Sequence, residues 1–165
     1  VRLLENGVIP YRVTHNDTKI NNILFDVSSD KAICVIDLDT VMPGSSLYDY
    51  GDAIRSGASS AEEDEEDLDK VWLDLKLYEA FTRGFLENTA GLLTDEETAN
   101  LPLGAKIMTL ELAARFLTDY LNGDVYFKTT KAHHNLIRAR TQIRLTQDME
   151  RKWSEMQKIA ADCRP

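Results

Sequence analysis

Three oxygen-bearing side chains, Asp17, Asn22 and Asp37, stand at spacings that could do chemistry on phosphate. Asp17 lies in the run His15-Asn16-Asp17, Asn22 follows a few residues later, and Asp37 closes the apolar run Ala32-Ile-Cys-Val-Ile36. A carboxylate beside a hydroxyl orients it and takes its proton as it attacks, an effect typically worth about 10²–10⁴-fold. Asn22 and Asp37 offer an amide and a carboxylate oxygen. Mg²⁺ is commonly held by one or two carboxylates, with phosphates and water completing its shell. A base beside two oxygen ligands for a hard cation is the parts list of a phosphoryl-transfer loop. The competing reading makes Asp17 a turn residue, Asn22 a strand start and Asp37 a helix cap. His-x-Asp with Asn at that offset arises by chance in roughly one chain of this length in a hundred, which favours the chemical reading.

The elements that must position these groups are short. Arg12-Val-Thr-His15 approaches the loop. Asn22–Asp26 and Ala32–Ile36, split by Ser28-Ser29-Asp30, read as an antiparallel hairpin. A turn centred on Ser29 and Asp30 sets Asn22 opposite Asp37, and opposed side chains lie about 5 Å apart. Residues 57–69 form an acidic connection; the run Glu62–Asp69 lacks the spacing and glycine of an EF-hand and reads as a solvated face. The rest reads as helix. Val71, Leu75, Tyr78, Phe81 and Phe85 form a stripe over 70–88, ended near Gly91. Thr94-Asp-Glu-Glu97 is a capping-box signature. Ile107, Leu110, Ala114, Leu117 and Leu121 form a second stripe over 103–121. Leu136, Ala139, Ile143, Thr146, Met149, Trp153, Met156 and Ala160 give one long helix over 130–161. The fold class is α+β, mostly helical, with one functional hairpin.

At 165 residues the chain reads as a single domain, with 43% hydrophobic and 28% charged residues. A net charge of −9 argues against nucleic acid and anionic membranes as partners. No apolar run approaches the roughly 20 residues that span a bilayer, and residues 1–12 lack the apolar core of a signal peptide. Cys34 reads as a small buried side chain and Cys163 as part of the tail. Two unpaired cysteines fit a reducing cytoplasm.

His15-Asn-Asp17-Thr-Lys-Ile-Asn-Asn22-Ile-Leu-Phe-Asp26 with Val35-Ile-Asp37 resembles the catalytic segment of the aminoglycoside phosphotransferase and choline kinase superfamily, whose usual His-Gly-Asp is His15-Asn16-Asp17 here. Asp37-Leu-Asp-Thr-Val-Met-Pro-Gly44, Tyr48-Asp-Tyr-Gly-Asp-Ala-Ile-Arg55 and 110–127 resemble the N-acetylhexosamine 1-kinase branch in particular. The resemblance implies a protein-kinase-like C-terminal lobe using ATP and Mg²⁺. It makes Asp17 the base facing a sugar's anomeric hydroxyl, Asn22 and Asp37 the Mg²⁺ ligands, and Arg115 and Tyr126 contacts to the hexosamine. Read from the residues alone, Arg115 needs a partner, either a substrate or a surface pair with Asp119 or Glu111. Asp39 lines the sugar pocket or supports Asp37. Asp49 and Asp52 brace the loop by pairing with Arg12 or Arg55, and His15 is a hydrogen-bonded support. Lys19 is a phosphate contact or merely solvated, and the adjacent His133 and His134 do not face one ligand together.

The ATP-covering loop and phosphate-pairing lysine of such kinases lie on an N-terminal β-lobe; that lobe is expected to be absent here, leaving the chain alone inactive. Ile9, Val41 and Met42 would then form a lobe-facing patch supporting a homodimer. The alternatives are a non-catalytic, kinase-derived binding module, or a kinase for another small hydroxylated acceptor of the aminoglycoside, choline or homoserine type.

Overall fold

A computed structural model describes residues 2–164. Helices dominate, as expected: α1 (Arg2–Glu5), α2 (Ser46–Gly57), α3 (Leu75–Asn88), α4 (Asp95–Ala99), α5 (Leu101–Leu121), α6 (His134–Arg151) and α7 (Trp153–Asp162). Four short strands form two separate pairs. β1 (Arg12–Thr14) runs antiparallel to β4 (Met42–Gly44), and β2 (Ile23–Phe25) runs antiparallel to β3 (Ala32–Val35). Only the second pair is legible as a hairpin in the sequence; β1–β4 joins residues too distant in the chain to announce themselves.

The centre of the molecule is α2. Ser45 caps it by accepting from Leu47 N, and residues on every side of the helix, including Leu47, Tyr50, Ile54 and Arg55, are buried. α5 packs against both α2 and α6. A side chain on Gly51 would run into the Gly104 carbonyl, and one on Gly104 into the Leu47 carbonyl. Two glycines facing each other therefore let the α2 and α5 backbones touch, which brings α2 close to the helix carrying Arg115. The core continues through Val71, Leu73, Tyr78, Leu101, Leu145, Met149 and Met156. Tyr50 packs edge-on to Tyr78 and tilted on Phe85, with centroids 6.4 and 5.2 Å away.

Several sequence expectations change. The helix placed over 70–88 begins at Leu75, where Asp74 caps it by accepting from Lys76 N and Leu77 N, and it buries Tyr78, Thr82 and Leu86. Val71 enters the core from outside that helix. On α5 the stripe Ile107, Leu110, Ala114, Leu117, Leu121 faces solvent, while Ala105, Thr109, Ala113 and Phe116 face inward. The helix is apolar on two sides, so periodicity selects a stripe without saying which one is buried. The single helix over 130–161 is two, broken at Lys152. The two cysteines exchange roles: Cys34 is exposed on an outward hairpin and Cys163 is buried, both unpaired. Ile9 is buried too, so only Val41 and Met42 of the expected lobe-facing trio are exposed.

The acidic run is not a solvated face but a strap. Glu63 pairs with Arg55 at 2.9 Å, Asp64 pairs with His134 and Lys131, and Thr141 donates to the Glu65 carbonyl. Thr130 N donates to His134 Nδ1, so Nε2 carries the proton given to Asp64. No helix among the described residues is long and apolar enough to cross a membrane.

Candidate active site

The loop bearing Asp17 is held from beneath by α2. The Asp49 carboxylate, in the first turn of that helix, accepts from His15 N and Asn16 N, both at 2.8 Å. Thr18 donates back to the Asp49 carbonyl. Asp49 is thus a brace, but it holds the backbone rather than an arginine. Arg12 instead forms a two-pronged pair with Glu97 on α4, each N–O distance 2.7 Å, and Ser46 Oγ and Thr94 N add two more hydrogen bonds to the same carboxylate. Burial works against ionising Glu97, but these donors outweigh it and bring its pKa down to about 2. Arg55 pairs with Asp52 as expected, through Nε at 3.0 Å and Nη2 at 2.7 Å on one oxygen.

Asn16 adopts a left-handed backbone with φ 62. Glycine and asparagine are the residues that visit that region most readily, so the Asn that replaces Gly between His15 and Asp17 keeps the turn. Its side chain uses the same position to donate to the Thr40 carbonyl and accept from Thr14 Oγ1, both at 3.0 Å. His15 ties the loop to the residue after β3: Nε2 donates to the Ile36 carbonyl at 3.0 Å, while Thr40 Oγ1 donates to the His15 carbonyl. The Asn16–Thr40 and Thr40–His15 contacts are not legible in the sequence, because the carbonyls that accept them come close only in the fold.

Asp17 Oδ2 accepts from Lys19 Nζ at 2.8 Å and from Asn22 Nδ2 at 2.9 Å. Partial burial favours the protonated acid, yet the two donors and the lysine charge prevail and hold the carboxyl below its ordinary range. Lys19 is therefore a partner of Asp17 and not simply a solvated side chain. Because Asn22 Nδ2 also donates to the Asp17 carbonyl, Asn22 is oriented with its amide hydrogens committed and its Oδ1 available to a cation.

The hairpin register differs by one from that expected. Ile23 faces Val35 and Leu24 faces Cys34, with an irregularity before Phe25–Ala32. Ile36 N accordingly donates to the Asn22 carbonyl at 3.0 Å, and Asp37 lies one residue beyond. The turn at its far end is longer than a Ser-Asp pair: the Asp26 carboxylate accepts from both Ser28 and Ser29, and Asp26 N donates to the Lys31 carbonyl. Asp37 takes a left-handed conformation with φ 63, ahead of the 3₁₀ turn Leu38–Thr40. It is exposed, as is Asp39. No three His, Cys, Asp or Glu side chains cluster as a metal site among the described residues. An amide and a carboxylate fit Mg²⁺, which leaves most of its shell to phosphates and water.

A cleft of about 460 Å³ opens beside the loop. Asp17, Lys19, Asp52, Arg115 and Tyr126 all line it, although they come from the loop, α2, α5 and the segment after α5. Asp39 does not line it; its neighbour Thr40 does. The guanidinium of Arg115 lies 5.7 Å from the ring centre of Tyr126 and 5.4 Å from that of Phe127. Arg115 Nη2 is 3.5 Å from the Tyr126 hydroxyl, and Nε is 3.8 Å from Glu111. Asp119 is not paired with Arg115; it is buried and holds backbone amides. Such an arrangement can hold a small hydroxylated molecule against a carboxylate poised to take a proton.

Comparison with known protein families matches residues 2–92 to the phosphotransferase enzyme family, APH. That span is more than half of the chain and includes the loop, both strand pairs, α2 and α3. The matched span holds the Asp17 side of the cleft, while Arg115 and Tyr126 lie beyond it; by that match the chain belongs to the APH phosphotransferase enzyme family.

Proposed function

We propose that the chain is the catalytic, acceptor-binding lobe of an ATP- and Mg²⁺-dependent kinase that phosphorylates the anomeric hydroxyl of an N-acetylhexosamine or a closely similar sugar. The observation that carries this reading is the shared cleft: Asp17, Arg115 and Tyr126 are far apart in sequence and line one cavity. In this reading Asp17 orients the attacking hydroxyl through its free oxygen and accepts its proton. Lys19 and Asn22 keep that carboxylate ionised and fixed. Arg115, backed by Tyr126 and Phe127, supplies cationic and hydrogen-bonding contacts to the sugar's ring substituents. Asn22 Oδ1 and Asp37 would hold Mg²⁺, which neutralises charge on the phosphates during transfer. Asp39 is assigned to the support of Asp37 rather than to the sugar, because it stays outside the cleft.

Phosphoryl transfer also needs groups that cover the nucleotide's phosphates. Among the described residues there is no glycine-rich hairpin with a lysine strand to do so, and we propose that a separate nucleotide-holding lobe completes the site. The exposed hairpin and the exposed Val41 and Met42 support a lobe-facing apolar surface, through which the chain alone would pair with itself.

Calorimetric titration of the chain with N-acetylglucosamine, N-acetylgalactosamine, choline, homoserine and an aminoglycoside tests the acceptor class. The expected outcome is saturable binding of an N-acetylhexosamine, weakened about tenfold or more by Arg115→Ala or Tyr126→Ala. Binding of another acceptor in preference to both sugars would overturn it.

A further inference from the structure

Arg115 and Tyr126 face each other across a join between two unlike pieces of backbone. Arg115 stands on α5, whereas Tyr126 belongs to the irregular segment that follows and is 73% exposed. Beyond an edge-to-face contact with Phe127, centroids 4.8 Å apart, and the guanidinium itself, so exposed a ring has little packing to place it. Its backbone, by contrast, is tightly held. Asp119 lies one helical turn beyond Arg115 and is 5% exposed. Its Oδ1 accepts from Val125 N at 3.0 Å and Tyr126 N at 2.8 Å; its Oδ2 accepts from Phe127 N at 2.9 Å and Asn135 Nδ2 at 2.8 Å. Three consecutive amides converging on one carboxylate fix the path of the chain they belong to.

The anchorage extends on both sides. Asp124 N donates to the Asp119 carbonyl at 2.9 Å, and Gly123 and Asp124 take left-handed conformations (φ 92 and 58) that turn the chain back over the end of α5. The fully buried Asn135 also donates to Asp124 Oδ1 at 2.8 Å. Arg138 donates to Asn135 Oδ1 and to the Lys128 carbonyl, both at 3.2 Å, so α6 ties the far end of the segment.

We propose that Asp119 is the positioning residue of the acceptor site: by gathering the amides of Val125, Tyr126 and Phe127 it sets both aromatic rings against Arg115, and so determines acceptor recognition without touching the acceptor. This rests on the acceptor reading above and deepens it. The role requires a carboxylate. Four donors need two acceptor oxygens, and an amide in the same place would turn an NH₂ toward N–H groups and leave one or more of them buried without a partner. The same donors hold Asp119 ionised despite its burial. The sequence hides the device, because an aspartate near a helix end reads as a surface pair for Arg115 and its true partners are backbone amides.

Amide hydrogen exchange of the unliganded chain tests the clamp first. The amides of Val125, Tyr126 and Phe127 should exchange as slowly as those inside α5, although their side chains reach solvent. Asp119→Asn should speed their exchange at least tenfold while the α2 amides stay protected. Free-chain exchange in the wild type, or no change in the variant, would overturn the proposal. Acceptor titration supplies the second readout. Asp119→Asn should weaken N-acetylhexosamine binding about as much as Tyr126→Ala, and the double variant should be no weaker than either alone, whereas independent structural damage would add. Additive losses, or full affinity in a variant whose clamp is open, would overturn the positioning role. Slow wild-type exchange lost in Asp119→Asn, in a chain that binds no N-acetylhexosamine, would support the clamp and overturn only the acceptor reading.

Discussion

The ionisation of Asp17 is set by its two donors, Lys19 and Asn22. Burial alone would raise its pKa; Lys19 and Asn22 reverse that, so the carboxylate persists to lower pH than an ordinary aspartate. Lys19→Met removes one donor and a charge, which lifts the Asp17 pKa. The acid limb of the transfer rate should then move to higher pH, read from a pH–rate profile, while an unmoved limb would show that another group controls it. Glu97 obeys the same rule away from the chemistry. Its pKa of about 2 means that its contribution to stability is complete above the ordinary carboxylate range and is lost as pH falls toward 2. Glu97→Gln should cost about 2–4 kcal/mol at neutral pH and much less near pH 2, measured by denaturant unfolding at both. Asp17, Asn22 and His15 were legible in sequence because their spacing is local. Glu97 was legible only as the far end of the Thr94 capping box; its pairing with Arg12, like the role of Asp119, depends on partners that only the fold supplies.

At the scale of elements, the α2–α5 contact joins the two halves of the cleft. α2 carries Asp49 under the Asp17 loop and α5 carries Arg115, and the paired Gly51 and Gly104 let them meet backbone to backbone. Gly104→Ala should destabilise the fold by about 1–3 kcal/mol, seen as a lower melting temperature, since a methyl there meets the Leu47 carbonyl. The hairpin shows the limit of pattern reading. Its two apolar runs announce β2 and β3, but the turn sets Phe25 opposite Ala32, and even after the irregularity beside that pair Ile36 stands where Asp37 was expected. A one-residue slip costs nothing in an exposed hairpin, because neither face is committed to a core. α5 is the complementary case: apolar on two faces, it offers two stripes, and only contact with α2 and α6 selects the inner one.

For the whole molecule, the mostly helical α+β class was legible from periodicity, and membership of the phosphotransferase family agrees with the motif-bearing segment. Leu24, Phe25, Ile33, Val35, Val41 and Met42 remain exposed on and beside the hairpin, an apolar area fit for another surface. Light scattering across a concentration series should therefore show self-association that Val41→Asp with Met42→Ser reduces; a monomer at every concentration would count against that surface. Incubated alone with ATP, Mg²⁺ and sugar, the chain should form no detectable sugar phosphate, and measurable product would contradict the need for a second lobe. The central claim is tested most directly by phosphoryl transfer in a polypeptide that joins this chain to a nucleotide-holding lobe, with the new phosphoester located by ³¹P NMR. The wild type should form hexosamine 1-phosphate and Asp17→Asn none above background, with nucleotide binding largely retained. Transfer by Asp17→Asn at the wild-type rate, or phosphate on a different hydroxyl, would contradict that claim.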